Sequence, residues 1–220
     1  LYENDSYLQT FTATVLACAP APGGYAVVLD RTAFYPEGGG QPCDTGRLGD
    51  AAVRAVHTDG ETVLHTTDAP LPVGGTVEGS IDWPARLDAM QQHTGEHILS
   101  GALHRLYGAE NGGFHIGSPW VRMDTSIPLT AAQLAEAEAE ANAAVRAATP
   151  VRCYLPAPAE LARTEYRSKK ALEGPVRLVE AGGDRCACCG THLARPGEVG
   201  LIKILAVPHY KGGMRLAVAC

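Results

Sequence analysis

Apolar and polar positions alternate over short runs in the first 85 residues. TFTATVLACAP (10–20), GGYAVVLDRTAFYP (23–36), AAVRAVHTDG (51–60) and ETVLHTTD (61–68) combine β-branched residues with period-two patterning, and PVGGTVEGSID (72–82) supplies a further candidate. Such alternation buries one face of a strand, and the intervening Gly and Pro mark turns. A succession of short strands of this kind predicts a small barrel or sandwich.

The period changes near Trp83. In ARLDAMQQHTGEHILSGALHRLYG, apolar positions around Leu87, Met90, Ile98, Ala102 and Leu106 recur at helical spacing, and Gly108 is a natural stop. A second helix is predicted to start at Thr130, where Gln133 completes a capping box after Pro128. Its body, AAQLAEAEAEANAAVRAA, is rich in strong helix formers, with Glu136, Glu138 and Glu140 reading as a solvated face, and Pro150 ends it. VRCYLP, PVRLVEAG and VGLIKILAVP then read as strands and APAELAR as a short helix. MRLAVAC is apolar to its last residue, which predicts that the natural chain continues. No internal repeat is evident. The expected organisation is a β-rich domain over 1–86 and an α+β domain over 87–220, giving an α+β fold class.

Composition narrows the setting. The chain has 220 residues, 45% hydrophobic and 19% charged, as in ordinary globular proteins. No run approaches the roughly 18 apolar residues of a membrane span, so no membrane partner is expected. The segment LYENDSYLQT lacks the basic and apolar regions of a secretory signal, so the expected compartment is the cytoplasm. Seven cysteines, three of them in CACC, fit metal binding better than a disulfide framework. A net charge of −6 argues against broad duplex binding and leaves room for a local basic footprint.

The candidate chemistry lies in two short motifs. His93 and His97 in HTGEH are four apart, so on a helix they share one face. In CACCGTH, Cys188 and His192 are also four apart across Gly190, with Cys186 and Cys189 as rival thiolates. A thiolate plus three imidazoles is a plausible zinc sphere, and two such pairs are far more specific than one. Four closed ligands usually mark structural zinc, whereas catalytic zinc keeps an open position. Read as H-x-x-E-H, with Glu96 as the acid, the first motif also matches an inverted zinc-peptidase pattern, but no acidic ligand follows on a helix.

These blocks, taken in order, are similar to the editing domain of alanyl-tRNA synthetases and its free-standing relatives, the AlaX proteins. The resemblance rests on LDRTAFYPEGGGQPCDTG (29–46), IDWPARLDAMQQHTGEHILSGAL (81–103) and RCACCGTHLARPGEVGLIKILAVPHYKGGMRL (185–216), with GGFHIG and VRLVEAGGD between them. It implies an N-terminal small β-barrel bearing a glycine-rich motif, then an α+β editing core like that of threonyl- and alanyl-tRNA synthetases. It implies hydrolysis of tRNA(Ala) mischarged with serine, or with glycine. It also implies one zinc ion per chain held by His93, His97, Cys188 and His192. Two positions depart from the family. Glu96 stands where threonine is frequent, and AENGGFHIG offers no counterpart to a nearby glutamine.

The expected catalytic residues are Glu96 and His115. Zinc would polarise a water or anchor the substrate's amino group or terminal ribose hydroxyl, and Glu96 would accept a proton. Gly38, Gly39 and Gly40 lack the Lys-Ser/Thr of a phosphate-binding loop, so no nucleotide cofactor is expected. By the resemblance they and Gln41 approach the RNA end, while Asp44 makes polar contacts or caps the loop. Arg163, Arg167, Lys169 and Lys170 are the leading RNA contacts, followed by Lys203, Lys211 and Arg215, with Tyr166 and Tyr210 interleaved for stacking. The alternatives are a non-catalytic RNA-binding module with a structural zinc and, more remotely, a metallopeptidase. The sequence carries no signal of oligomeric state.

Overall fold

The computed structural model describes residues 1–117, 119–147, 149–168 and 174–220. The chain divides into two compact units, Leu1–Ala89 and Met90–Cys220. In the first, six antiparallel strands close into a barrel: β1 (Thr10–Ala21), β2 (Gly24–Leu29), β3 (Gly46–Leu48), β4 (Ala51–Asp59), β5 (Thr62–Thr67) and β6 (Thr76–Ile81). Their order is β1-β2-β5-β4-β3-β6, and β6 pairs back onto β1. Alternating inward residues fill the interior, among them Phe11, Val15, Val27, Phe34, Leu48, Val56 and Val77. Phe11 lies across Gly79, its partner on β6, where an added Cβ would come within 2.3 Å of the ring. The run 23–36 is strand only to Leu29; Thr32–Pro36 continue as a buried irregular segment. The three-residue β3 has no alternation long enough to read from sequence, yet its pairings with β4 and β6 close the barrel.

One buried ion pair organises the loop after Pro36. Arg86, in the first turns of α1 (Trp83–Tyr107), has a fully buried side chain. Its guanidinium donates to both carboxylate oxygens of Asp44, to the Ala33 carbonyl at 2.6 Å and to the Ser6 carbonyl at 2.9 Å. Asp44 also accepts from the Tyr35 amide, so both charges are hydrogen-bonded as burial requires. Between these anchors, Gly38 and Gln41 exchange backbone hydrogen bonds around Gly39 (φ 58) and Gly40 (φ 87). Two consecutive positive φ values in a two-residue turn are open to glycine at little cost, which accounts for Gly39 and Gly40.

In the second unit α1 is followed by β7 (Asn111–Ile116), β8 (Val121–Thr125), α2 (Ala131–Ala147), β9 (Arg152–Tyr154), α3 (Pro158–Leu161), β10 (Leu178–Ala181) and β11 (Asp184–Ala187). A 3-10 turn at Pro196–Val199 precedes β12 (Lys203–Ala206), β13 (His209–Tyr210) and β14 (Gly213–Ala219). One sheet has the order β12-β14-β8-β7 with β13 paired to β14; the other is β11-β10-β9. α1 ends at Gly108 (φ 66), and Thr130 and Gln133 form the reciprocal capping box that starts α2. Residues 93–103 of α1 are buried on every side. At Gly101 an added Cβ would sit 2.5 Å from that of Asp184, so the missing side chain lets the β10–β11 hairpin close onto the helix.

The acidic residues of α2 are more than a solvated face. Glu138 binds the Lys203 ammonium at 2.6 Å and the Ile204 amide at 2.8 Å, Glu140 pairs with Arg105 at 2.6 Å, and Glu136 accepts from the Tyr107 hydroxyl at 2.5 Å. No helix of the described residues is long and apolar enough to cross a membrane.

His65, on β5, supplies a stability test. Its ring is buried, Nδ1 facing the Val27 carbonyl at 3.1 Å and Nε2 the Thr32 hydroxyl at 2.8 Å. A carbonyl can only accept, so Nδ1 carries the proton of the neutral ring. Burial pushes its pKa down from 6.5 to about 4, against the Val27 hydrogen bond and aided by His57. The unfolded chain therefore binds more protons between those pH values. This contribution is fully present above pH 6.5 and is lost as pH falls toward 4, by up to about 3 kcal/mol. Urea unfolding of the parent and a His65→Gln variant should show the extra pH dependence only in the parent; equal slopes would refute it.

Candidate metal centre

The fully buried stretch of α1 contains polar residues that a purely structural helix would avoid: His93, Thr94, Glu96, His97 and Ser100. His93, Glu96, His97 and Ser100 follow the i, i+3, i+4, i+7 spacing of one helical face. Opposite it comes the turn after β11, which brings in Cys188 and His192. One ligand atom from each of His93, His97, Cys188 and His192 lies within 4.8 Å of every other. The three imidazoles form a triangle with centroids 5.2, 4.5 and 4.6 Å apart. The Cys188 sulfur is 3.5 Å from His93 Nε2 and 3.4 Å from His192 Nε2. Tetrahedral zinc with sulfur and nitrogen ligands separates its donors by about 3.3–3.8 Å, so the two sulfur–imidazole separations match such an ion. The rival thiolates lie elsewhere: Cys186 is buried in β11 and Cys189 is exposed.

Several residues that the sequence did not single out hold this arrangement. Thr94 Oγ1 is 3.2 Å from His192 Nδ1 and accepts from the Leu193 amide, which turns His192 Nε2 toward the sulfur. Arg177 donates to the carbonyls of Cys188 and Gly190 at 3.0 and 2.9 Å, while its own carbonyl accepts from the Cys188 amide. The Gly190 amide lies 3.3 Å from the Cys188 sulfur, a hydrogen bond that favours the thiolate. Phe114 stacks on His93 with centroids 4.8 Å apart.

The other expected residues divide. Glu96 is buried, and the Asn111 side-chain amide donates to it. Arg167, expected to grip RNA, is instead committed to Asp184 at 2.9 and 2.5 Å and to the Ser100 hydroxyl, with only 11% of its side chain exposed. Burial opposes its charge, but Asp184 and the nearby Glu96 outweigh this and raise its pKa. His115 is exposed and follows Phe114 on β7, so it points to the opposite side of the sheet from the imidazole cluster. Lys203 is tied to Glu138. Gly38, Gly39, Gly40 and Gln41 belong to the first unit. Lys169 and Lys170 lie outside the described residues.

Two family descriptions match the chain. "tRNA synthetases class II (A)" covers residues 11–85, and "Threonyl and Alanyl tRNA synthetase second additional domain" covers residues 176–215, which include Cys188 and His192. The chain is 33% identical over 223 residues to the mouse (Mus musculus) protein named "Alanyl-tRNA editing protein Aarsd1", covering 93% of this chain and 54% of that protein. It is 37% identical to the "Alanine--tRNA ligase" of Pyrobaculum neutrophilum and 40% identical to that of Thermofilum pendens. Each match covers 97% of this chain, with 26% and 25% of the respective ligases. The chain thus spans about half the length of the editing protein and about a quarter of the ligases.

If Arg177 fixes the cysteine turn, Arg177→Ala should weaken metal retention by about 10–100-fold, the usual effect of removing a group that orients a ligand. Chelator competition on refolded, metal-loaded protein measures this. Unchanged affinity would show that the turn holds its shape without the guanidinium.

Proposed function

The chain belongs to the family of alanyl-tRNA synthetase editing domains and their free-standing relatives, and we propose that it hydrolyses the ester of tRNA(Ala) wrongly charged with serine or glycine. One observation carries this reading: the convergence of His93, His97, Cys188 and His192 on a single point. The residues would hold one zinc ion. When bound, zinc supplies a concentrated positive charge able to polarise or anchor oxygen and nitrogen groups of the substrate. The division of labour is part of the reading, with a β-barrel domain over 1–86 and an editing domain over 87–220, acting in the cytoplasm without a nucleotide cofactor.

Within the editing domain, Glu96 supplies a buried carboxyl group on the same helix face as His93 and His97. Asn111 holds one of its oxygens, so the carboxylate is oriented before substrate arrives. In the proposed reaction Glu96 takes a proton from the attacking water and the ester bond breaks, releasing the amino acid and a tRNA with a free terminal hydroxyl. Arg167 and Asp184 brace the same helix face through Ser100 and act as positioning residues. Gly38–Gln41 is retained as a contact for the RNA end, because the tight turn leaves Gly39 with nothing within 4 Å of its added-Cβ position. Lys169 and Lys170 remain proposed phosphate contacts.

A second reading is favoured by the closed character of the ligand set. Four donors suffice for a structural zinc, and the domain would then bind RNA without turnover. The decisive experiment compares release of serine and glycine from charged tRNA(Ala) with release of alanine, using folded, zinc-loaded protein. Selective release of the wrong amino acid, lowered at least about 100-fold in His97→Ala that still folds, supports editing. Tight tRNA binding without release supports the structural alternative.

Glu96→Gln isolates the carboxylate. The isosteric amide keeps the size of the side chain and removes its charge. A fall of about 100-fold in kcat with little change in KM is expected. Parental kcat in this variant would remove Glu96 from the chemistry.

A further inference from the structure

The β12-β14-β8-β7 sheet has a second face that the proposed editing site does not use. Cross-strand register places Ala206, Ala217, Arg122 and His115 in one row, and Gly113, Asp124 and Arg215 in the next. Their neighbours Met123, Leu216 and Val218 are buried on the inner side, so these rows face outward. A cleft of about 490 Å³ opens over them, lined by His115, Trp120, Arg122, Pro208, Arg215 and Ala217 among others. Its lining combines the small residues Gly117, Ala206 and Ala217 with Pro119, Pro208 and Leu216, beside the cationic and aromatic side chains.

The rim is partly pre-organised. Arg215 donates to both oxygens of Asp124 at 2.7 Å, and its guanidinium carbon lies 3.6 Å from the Tyr210 ring centroid. The Lys211 ammonium is 5.2 Å from the same ring. Lys211 is also the one non-glycine residue with positive φ among the described residues, at 53°, although Gly212 and Gly213 follow it. Lysine here adopts a conformation that glycine reaches more easily, and it places a charge at the hairpin tip. Trp120 is 48% exposed. Arg122 has no carboxylate partner among the described residues, and Asp124, already paired, is the acid of these two rows. In a chain of net charge −6, this is a local excess of positive charge beside an exposed indole.

We propose that this outer face is a stacking platform for single-stranded RNA. One unpaired base lies against Trp120 over the cleft, and Arg122 and Lys211 meet the flanking phosphates. Planar bases suit an exposed aromatic ring, and cations on the rim suit the backbone. The proposal rests on reading tRNA as the partner and adds a second contact surface to it. β7 ends its sheet, so an RNA strand whose end lies on the inner side can cross that edge to the outer face.

The chain has two tryptophans, so Trp83→Phe leaves Trp120 as its sole indole reporter. A short oligouridylate should quench that fluorescence saturably and less strongly as salt rises, while a blunt RNA hairpin should not. Arg122→Glu, Lys211→Glu and Trp120→Ala should each weaken oligouridylate binding by about tenfold. On mischarged tRNA(Ala) their loss should fall in KM rather than kcat. Absence of quenching, with KM unchanged in folded Trp120→Ala protein that deacylates, overturns the platform and leaves the editing reading standing. Quenching without deacylation by the parent keeps the platform and removes the editing reading. Equal binding of the blunt hairpin overturns base stacking. Self-association abolished by Trp120→Ala, with no oligouridylate binding, assigns the face to a second copy and overturns the proposal.

Discussion

The second unit depends on meeting two requirements at once: a helix must be buried on every side, and its buried face must be polar. Burying imidazoles, a carboxylate and hydroxyls without partners would cost several kcal/mol for each group. The fold meets both by arranging partners at different distances. Thr94 and Arg177 orient the His192 and Cys188 ends of the cluster, Asn111 holds Glu96, and Arg167 reaches Ser100. The small residues Gly101 and Gly182 then let strand and turn close onto the helix, because a Cβ at either position would meet Asp184 or Ile98 within 3 Å. Polar clustering and close packing are therefore one arrangement, and a change that opens the helix packing also loosens the candidate ligands.

The barrel applies the same reasoning to a single pair. Arg86 and Asp44 are buried together; they bond each other, the Ala33 carbonyl and Tyr35 amide that lead into the glycine turn, and the Ser6 carbonyl. Removing one partner would leave a buried charge uncompensated, at a cost of about 3–5 kcal/mol. The pair accounts for a rigid frame around a turn whose two central residues are glycine. Rigidity comes from the anchors, and the glycines supply only the permitted backbone shape.

The parts of this structure legible from sequence are those set by local periodicity and local caps. Alternation marked β1, β4, β5 and β6, and the Thr130–Gln133 box and Gly108 marked helix ends. The i, i+4 spacing of His93–His97 and Cys188–His192 was equally local. What escaped was set by register and long-range contact. β3 is only three residues long, β7 carries glycine where alternation would be sought, and β8 alternates but over only five residues. Arg177 and Asn111 look ordinary in the chain because their partners are distant in sequence or across a turn. His115 shows how far a local signal reaches: a histidine near a histidine motif suggests chemistry, while its neighbour Phe114 takes the inward position and strand alternation puts His115 on the other face. The weak but available clue was the alternation of FHI itself.

Net charge was an equally coarse guide. Much of the acid is consumed internally: Asp44 by Arg86, Asp184 by Arg167, Glu138 by Lys203, Glu140 by Arg105 and Glu180 by Arg185. Each such pair contributes nothing to net charge and little to the field beyond a Debye length of about 8 Å in physiological salt. What a polyanion meets is the remainder, and its sign is set by where the unpaired groups stand. Arg122 lines the cleft and Lys211 shares the Tyr210 ring with the cleft residue Arg215, while His115 and Trp120 supply rings at the same surface. An acidic protein can thus present a cationic face without a cationic composition. Such a face gives a modest, salt-sensitive grip and leaves selectivity to stacking and to the chemistry at the reacting end. For a domain of the proposed kind, which would release correctly charged tRNA as readily as it samples it, a weak grip would be an advantage. Binding energy shared equally by right and wrong substrates lowers KM for both and discriminates between neither.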